Sequence, residues 1–289
     1  MILSLITMNS YSKMRRAPVS FTRVLDSTLQ LPYEHIILVD DSADETREVF
    51  ERWCLRHGKA FTISRSNLYG YSKPTRATAR QTAIDIFLGG FRDGWLMFID
   101  DDVIVNPGWW DEALSLIAKP NIGLIWGLNF YSTVERFEYL KLLKVDYEDT
   151  LIKEFYRRGG THDILVRREA IKGIRIPPDL HVFEDWYILR HVQNQGYGVG
   201  IVKAGVVHYN PDWKQSKESI REMAYLSKKY GVEPSSLKYG VYRLLRSLLS
   251  GVTTLYASVK AFGLKGFVRA FQRWRLKVLY RAFFLFIKT

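Results

Sequence analysis

Three carboxylates in a row, Asp100-Asp101-Asp102, close the apolar run of residues 95–99. Like charges crowded at the end of a buried strand raise one another's pKa, and a hard divalent cation relieves the strain. Oxygen donors suit Mg2+ or Mn2+, which keep coordination positions open for phosphate oxygens and so bridge protein to a diphosphate. An acidic turn capping the next helix, helped by Asp111 and Glu112, is the alternative. A second acidic pair, Glu184-Asp185, opens a segment with Trp186, Leu189 and Val192 at helical spacing. Acids so placed cap helices. A carboxylate at the lip of a crevice is equally what transfer to a hydroxyl needs, a general base within reach of the incoming O–H. His208 ends the apolar run 199–207; imidazole accepts Mn2+, so a carboxylate-plus-histidine site stands beside the reading of a hydrogen-bonded rim residue.

Further polar groups fall where apolar runs stop: Thr7 and Asn9 after the first, Asp40-Asp41-Ser42 after the second. Lys73, Arg76 and Arg80 open a helical segment, and Lys214 and Lys217 follow His208. Their cationic groups would neutralise phosphate, or else be solvated helix-face charges. His35, His57, His162, His181 and His191 are read as structural or surface residues, with acceptor contact the alternative for His162 and His181.

Elements must carry these groups to one place. Short apolar runs at residues 2–7, 36–39, 61–64, 95–99, 122–128, 164–167 and 199–207 alternate with helical stretches ending near Leu29 and spanning 46–54, 75–88, 110–117 and 184–196. This is βαβ rhythm, and runs apolar on both faces predict a mostly parallel α/β sheet covered by helices. In such sheets ligands bind beyond the carboxyl ends of the strands, where the polar groups lie. No GxGxxG or Walker loop follows any strand, which argues against a dinucleotide or P-loop site.

Charge divides the chain. Net charge is +12, yet residues 234–289 hold eleven Lys or Arg and no acid, leaving 31 basic and 30 acidic residues elsewhere. A basic groove for nucleic acid would be spread over the folded domain, so no nucleic-acid partner is expected. A basic tail suits an anionic membrane surface. Within it, Arg243, Arg246, Ser247 and Ser250 share one helical face against Leu244, Leu245, Leu248, Val252, Leu255, Val259 and Phe262, and a second such segment follows at 267–287. A helical pair packed on the catalytic domain or on a second subunit is the competing reading. The longest uncharged stretch of the tail runs thirteen residues, from Ser247 to Val259, short of the roughly 18 to 20 needed to span a bilayer. Cys54 stands alone, so an intrachain disulfide is excluded and a reducing compartment is expected. The domains expected are 1–212, catalytic, and 213–289, helical and basic.

In order and spacing these segments resemble family 2 glycosyltransferases with the GT-A fold, over about residues 2–212. ILSLITMN resembles the family's opening strand, LVDDSADET its "VDDxSxDxT", ATARQTAI its "AARNxGI" helix and FIDDDVIVNPGWW its DxD strand. GTHDILVRREAI and FEDWYILRHVQNQGYGVGIVKAGVVHY follow its "G…RREAL" and "ED…L…R…GY…H" runs. The resemblance implies an inverting transfer from a nucleoside-diphosphate sugar with a divalent cation, Mn2+ or Mg2+. It assigns Asp41 and Thr7 to the nucleotide base; Asn9, Asp40, Arg76, Arg80 and Asp101, read from their types and positions, join them on the donor side. Asp100 goes to the ribose or the metal and Asp102 and His208 to the metal, while Asp185 becomes the catalytic base with Glu184 beside it orienting the acceptor. Gln81 departs from the family's Asn, and Gln272-Arg273-Trp274 is spaced unlike the QxxRW of processive synthases, so it is read as a helix face. A glycan or lipid-linked acceptor, a place on the cytoplasmic face of a membrane and homo-oligomerisation complete the expectations. A nucleotidyltransferase and a non-catalytic nucleotide-binding module are the rivals.

Overall fold

The computed structural model describes residues 1–15, 19–66, 74–131, 146–209 and 216–287; Lys73 and Lys214 lie outside them. Eight strands, β1 (Ile2–Thr7), β2 (His35–Asp40), β3 (Ala60–Ser64), β4 (Trp95–Asp100), β5 (Val103–Val105), β6 (Ile122–Tyr131), β7 (Ile164–Arg167) and β8 (Gly198–His208), form one sheet in the order β3-β2-β1-β4-β7-β6-β8-β5. Helices α1 (Ser10–Met14), α2 (Phe21–Ser27), α3 (Thr46–Arg56), α4 (Arg76–Gly90), α5 (Trp109–Ile117), α6 (Tyr147–Arg158), α7 (Arg168–Ile171) and α8 (Glu184–Asn194) connect and cover it; α9 (Lys217–Lys229) and α10 (Leu237–Phe286) follow.

The half β3-β2-β1-β4 is parallel throughout. It has to be, because each return passes through a helix that covers a face of the sheet. Leu3, Leu5, Ile36, Leu38, Met97 and Ile99 are buried together with Phe21, Leu25, Phe50 and Trp53 from α2 and α3. Burying each such side chain contributes roughly 1.5 to 3 kcal/mol. Cys54 lies in this core, where burial pushes its thiol up to about 12, so it stays protonated and inert.

Antiparallel pairing enters in the other half. β7 lies antiparallel between β4 and β6, and the three-residue β5 runs antiparallel to β8 at the far edge. β5 is a strand because its edges meet β8, a long-range partner that local pattern does not reveal. Both pairings matter below, because their registers decide which chemistry-bearing residues face one another.

The chain divides into two compact units, Met1–Ser132 with Glu154–Pro211, and Thr133–Lys153 with Asp212–Thr289. In the second unit α10 breaks at Gly263, whose φ of 60° and ψ of −149° only glycine adopts without strain. The two arms of α10 fold back on each other, and the Trp274 indole N–H donates to the Ser247 carbonyl at 2.9 Å. Arg281 pairs with the buried Glu233, which also accepts from the Tyr239 and Tyr280 hydroxyls. Ser247, on the polar face of the sequence pattern, is buried along with Ala257, Ser258 and Ala270, while Leu245, Leu248, Val252 and Val259 of the apolar face are exposed. Small side chains let the two backbones approach closely enough for an indole to reach a carbonyl, and that contact takes precedence over hiding the larger residues.

Candidate functional site

Strand register assembles the centre of the site. β5 pairs with β8 so that Val103 faces His208; Asp102, one residue earlier, therefore meets the ring. Its Oδ1 lies 3.0 Å from His208 Nε2, and its carbonyl accepts from the Tyr209 N–H at 2.8 Å. Burial opposes a charge on His208, but the Asp102 contact outweighs it and raises the imidazole's pKa. On the other side Met97 faces Leu165 across β4 and β7. Continuing that register sets the Asp100 N–H against the His162 carbonyl, at 3.2 Å, and so brings Thr161, His162 and Asp163 beside the acidic turn.

Asp100 accepts from the Arg80 guanidinium, which also donates to Thr161 Oγ1 at 2.7 Å. Burial alone would favour the neutral acid, yet Arg80, with His208 and His162, holds the Asp100 carboxyl down at about 2. Asp101 is buried and turns to α1, accepting from the Ser10 hydroxyl and from Lys13 Nζ at 3.2 Å. Burial still raises its pKa despite Lys13. Lys13 Nζ also lies 4.0 Å from Asp102.

The second acidic pair begins α8. Glu184 is 3% exposed, whereas Asp185 is half-buried and accepts from the Trp186 N–H at 2.8 Å. Burial first, then the neighbouring Asp185, pushes Glu184 up to about 8. Burial likewise lifts Asp185 to about 6, against the Trp186 N–H and the guanidiniums of Arg158, Arg80 and Arg76. Gly159 has φ of +76°, and a Cβ there would lie 2.4 Å from the Asp185 carbonyl carbon. The Gly159-Gly160 break thus lets the chain pass directly against the peptide that carries Asp185.

The two clusters face common ground. Although desolvation pulls the other way, Glu184, Asp100, Asp185 and Asp102 together raise the pKa of Arg76 at the start of α4. Arg80, one turn on, pairs with Asp100 and acts on Glu184 and Asp185 as well. Acids 84 residues apart in sequence, Asp100 and Glu184, therefore share the same two guanidiniums.

Other expected site residues fall into place differently. Thr7 Oγ1 donates to Asp40 Oδ1 at 2.6 Å, and both are buried; they bind each other, because Asp40 also anchors the turn through Ser42. Asp41 is the more open acid and accepts from the Ser66 N–H at 3.2 Å. Asn9, left-handed at φ 56°, stitches the β1 end to the β2 end by accepting from the Ala43 N–H at 2.8 Å. Arg80, expected to meet phosphate, is 1% exposed and engaged internally; Arg76 is the exposed cation of the two. His162 is buried within the wall, its ring 6.0 Å from that of His208, and burial drives its pKa down to about 3. His181 contacts the Asp179 carbonyl at 3.0 Å.

Of the three expected cation ligands, Asp102 and His208 meet, while Asp100 is taken by Arg80; among the described residues no three acidic, histidine or cysteine side chains converge as a metal cage. One carboxylate and one imidazole suit Mn2+ or Mg2+ if diphosphate oxygens and water complete the shell. Two groups escaped the sequence reading. Asn129 Nδ2 lies 3.2 Å from His208 Nδ1, and an Asn inside the apolar run IGLIWGLNFY was the available sign. Asp163, fully buried against the Trp109 indole N–H at 2.9 Å and driven well above the usual carboxylate range by burial, gave none.

A sheet with this order and an acidic turn after its fourth strand is the GT-A arrangement. A mannosyltransferase from Pyrobaculum calidifontis, in complex with GDP-Man and Mn2+, superposes with a TM-score of 0.59 at 16% identity, over 98% of this chain and 84% of that one. Glucosyl-3-phosphoglycerate synthase from Mycobacterium tuberculosis, with Mn2+, UDP and phosphoglyceric acid, gives 0.51 at 18% identity over 80% and 78%. The same enzyme with Mg2+ and UDP gives 0.50 at 17% over 80% and 79%. The glycosyl transferase family 2 profile matches residues 10–177, and the chain belongs to that family. The match stops short of Glu184, Asp185 and His208. Among curated proteins none matches the sequence.

Proposed function

We propose that the protein is an inverting glycosyltransferase that moves a sugar from a nucleoside diphosphate to an acceptor hydroxyl, with Asp185 as the base. The observation that carries this reading is the sharing of Arg76 and Arg80 by the two acidic clusters. Donor and acceptor chemistry need acids on both sides of one sugar. Asp185 rather than Glu184 is assigned the proton, because it is half-buried where Glu184 is closed off. Lifted by burial to about 6, the Asp185 carboxyl matches a base that is ionised near neutrality yet still basic enough to accept a proton.

As the acceptor oxygen attacks the anomeric carbon, its proton passes to Asp185, and the bond to the diphosphate breaks on the opposite face, so configuration inverts. Arg76 orients the diphosphate and offsets its growing charge. Asp102 and His208 would hold a divalent cation, which supplies Lewis-acid stabilisation of the leaving diphosphate. Asp41 and the Asn9-stitched loops form the nucleotide side. The cations named for the GT-A neighbours, Mn2+ and Mg2+, support the choice of ion.

The test is a panel of GDP- and UDP-sugars with Mn2+ and a set of hydroxyl acceptors, following nucleotide release and product anomeric configuration by NMR. Asp185→Asn should keep donor affinity, measured by calorimetry, and lose about 10^2 to 10^4 in turnover. Retained configuration in the product, or full activity in that variant, would sink the proposal.

A further inference from the structure

Large apolar side chains stand in water along one side of α10. Leu249 is 74% exposed, Val252 71%, Tyr256 70% and Leu264 77%. With Val241, Leu245 and Val259, the residues of the first arm recur at steps of three and four and therefore share one helical face. Ser247, Ala257 and Ser258, the small residues of the seam, fill a different face. The first arm of α10 is thus arranged with small groups inside and bulky apolar groups outside, the reverse of a helix that packs in water.

Charge decides what could cover this face. Residues 234–289 carry eleven basic side chains and no acid. A second copy of the chain would set like charge against like charge, since a twofold contact repeats one patch on both partners. Nucleic acid would match the charge, but it offers no apolar layer for Leu249 or Val252. A bilayer with anionic headgroups answers both features: acyl chains for the stripe, headgroup charge for the exposed Lys260 and Lys265 that flank the Gly263 bend. No helix among the described residues is long and apolar enough to cross a membrane, so the contact lies in the interface plane. We infer that the outward face of α10, from Val241 to the Gly263 bend, docks on an anionic lipid surface. This inference stands independently of the catalytic reading.

The experiment uses the full chain and sedimentation with two kinds of vesicle, phosphatidylcholine alone and phosphatidylcholine with about 30 mol % phosphatidylglycerol. The protein should pellet with the anionic vesicles at least tenfold more strongly than with the neutral ones. The triple variant Leu249→Ser, Val252→Ser, Tyr256→Ser should lose at least tenfold in affinity with an unchanged circular-dichroism melting curve, because all three positions are exposed. Lys260→Glu with Lys265→Glu, which leaves the stripe intact, should weaken binding to anionic vesicles only. Equal binding to both vesicle types, no binding to either, or undiminished binding by the triple variant would overturn the inference. So would sedimentation equilibrium showing a dimer that the triple variant abolishes.

Discussion

Replacing Glu184 by Gln keeps a side chain's shape while deleting a charge that has been taken out of water. Glu184 is 3% exposed, and its Oε2 has no hydrogen-bond partner among the described residues. Burial and the adjacent Asp185 lift its pKa from an ordinary 4.5 to about 8. The folded protein therefore grips this proton more tightly than the unfolded chain does. Its contribution to stability is complete below about pH 4.5 and is lost as the pH climbs toward 8. At about 1.36 kcal/mol per tenfold, the full gap corresponds to roughly 5 kcal/mol, an upper bound because relaxation and water entry reduce it. A fall of about 2 to 3 kcal/mol in wild-type stability between about pH 5 and about pH 9 is the working expectation. Glu184→Gln should lose less over the same range, its remaining slope coming from Asp185 and the other buried groups whose pKa is raised, Asp163 and Asp101 among them. The assay is urea denaturation followed by tryptophan fluorescence, both proteins measured at matched pH. The acid limb of the turnover profile should stay in place, because Glu184, at about 8, is still neutral where Asp185 titrates at about 6. Parallel stability curves for the two proteins would refute the burial argument.

Three further outcomes are expected. Asn129→Leu removes the amide that fixes the His208 ring and should weaken Mn2+ binding about 10- to 100-fold, read by electron paramagnetic resonance of the free ion without any turnover. Gly159→Ala drives a methyl group into the Asp185 peptide at a left-handed position, and should cost about 1 to 3 kcal/mol in denaturant stability while lowering kcat more than it changes donor affinity. Arg281→Ala leaves the carboxylate of Glu233 buried without its cation; a loss of about 3 to 5 kcal/mol is expected in chemical denaturation.

Much of this fold could be read from local pattern, and the reasons are visible residue by residue. β1, β2 and β4 are apolar on both faces, and each ends in a polar residue, so their places and the acidic turn beyond them followed from composition alone. Asp102 and His208 were named from type and position, but their meeting depends on Val103 facing His208 across an antiparallel edge that three residues of β5 do not announce. Arg80 read as a phosphate contact because a guanidinium on a helix start offers no hint of depth; only the long-range pairing with Asp100 and Thr161 shows it to be internal. Thr7 and Asp40 hydrogen-bond each other, a pairing between two strands that neither segment announces. In α10 the hydrophobic periodicity was legible, but the seam of serines and alanines where its arms meet was not, because small residues leave no mark in a pattern of large apolar ones.

Lys13 gives the acidic turn a consequence of its own. An ammonium reaching in from α1 toward Asp101 and Asp102 is a resident counter-ion, supplied by the same polypeptide at the same instant as the acids it balances. The nascent chain can thus close this corner without waiting for a dissolved ion, and dialysis against a chelator should leave a well-folded protein ready to be reloaded.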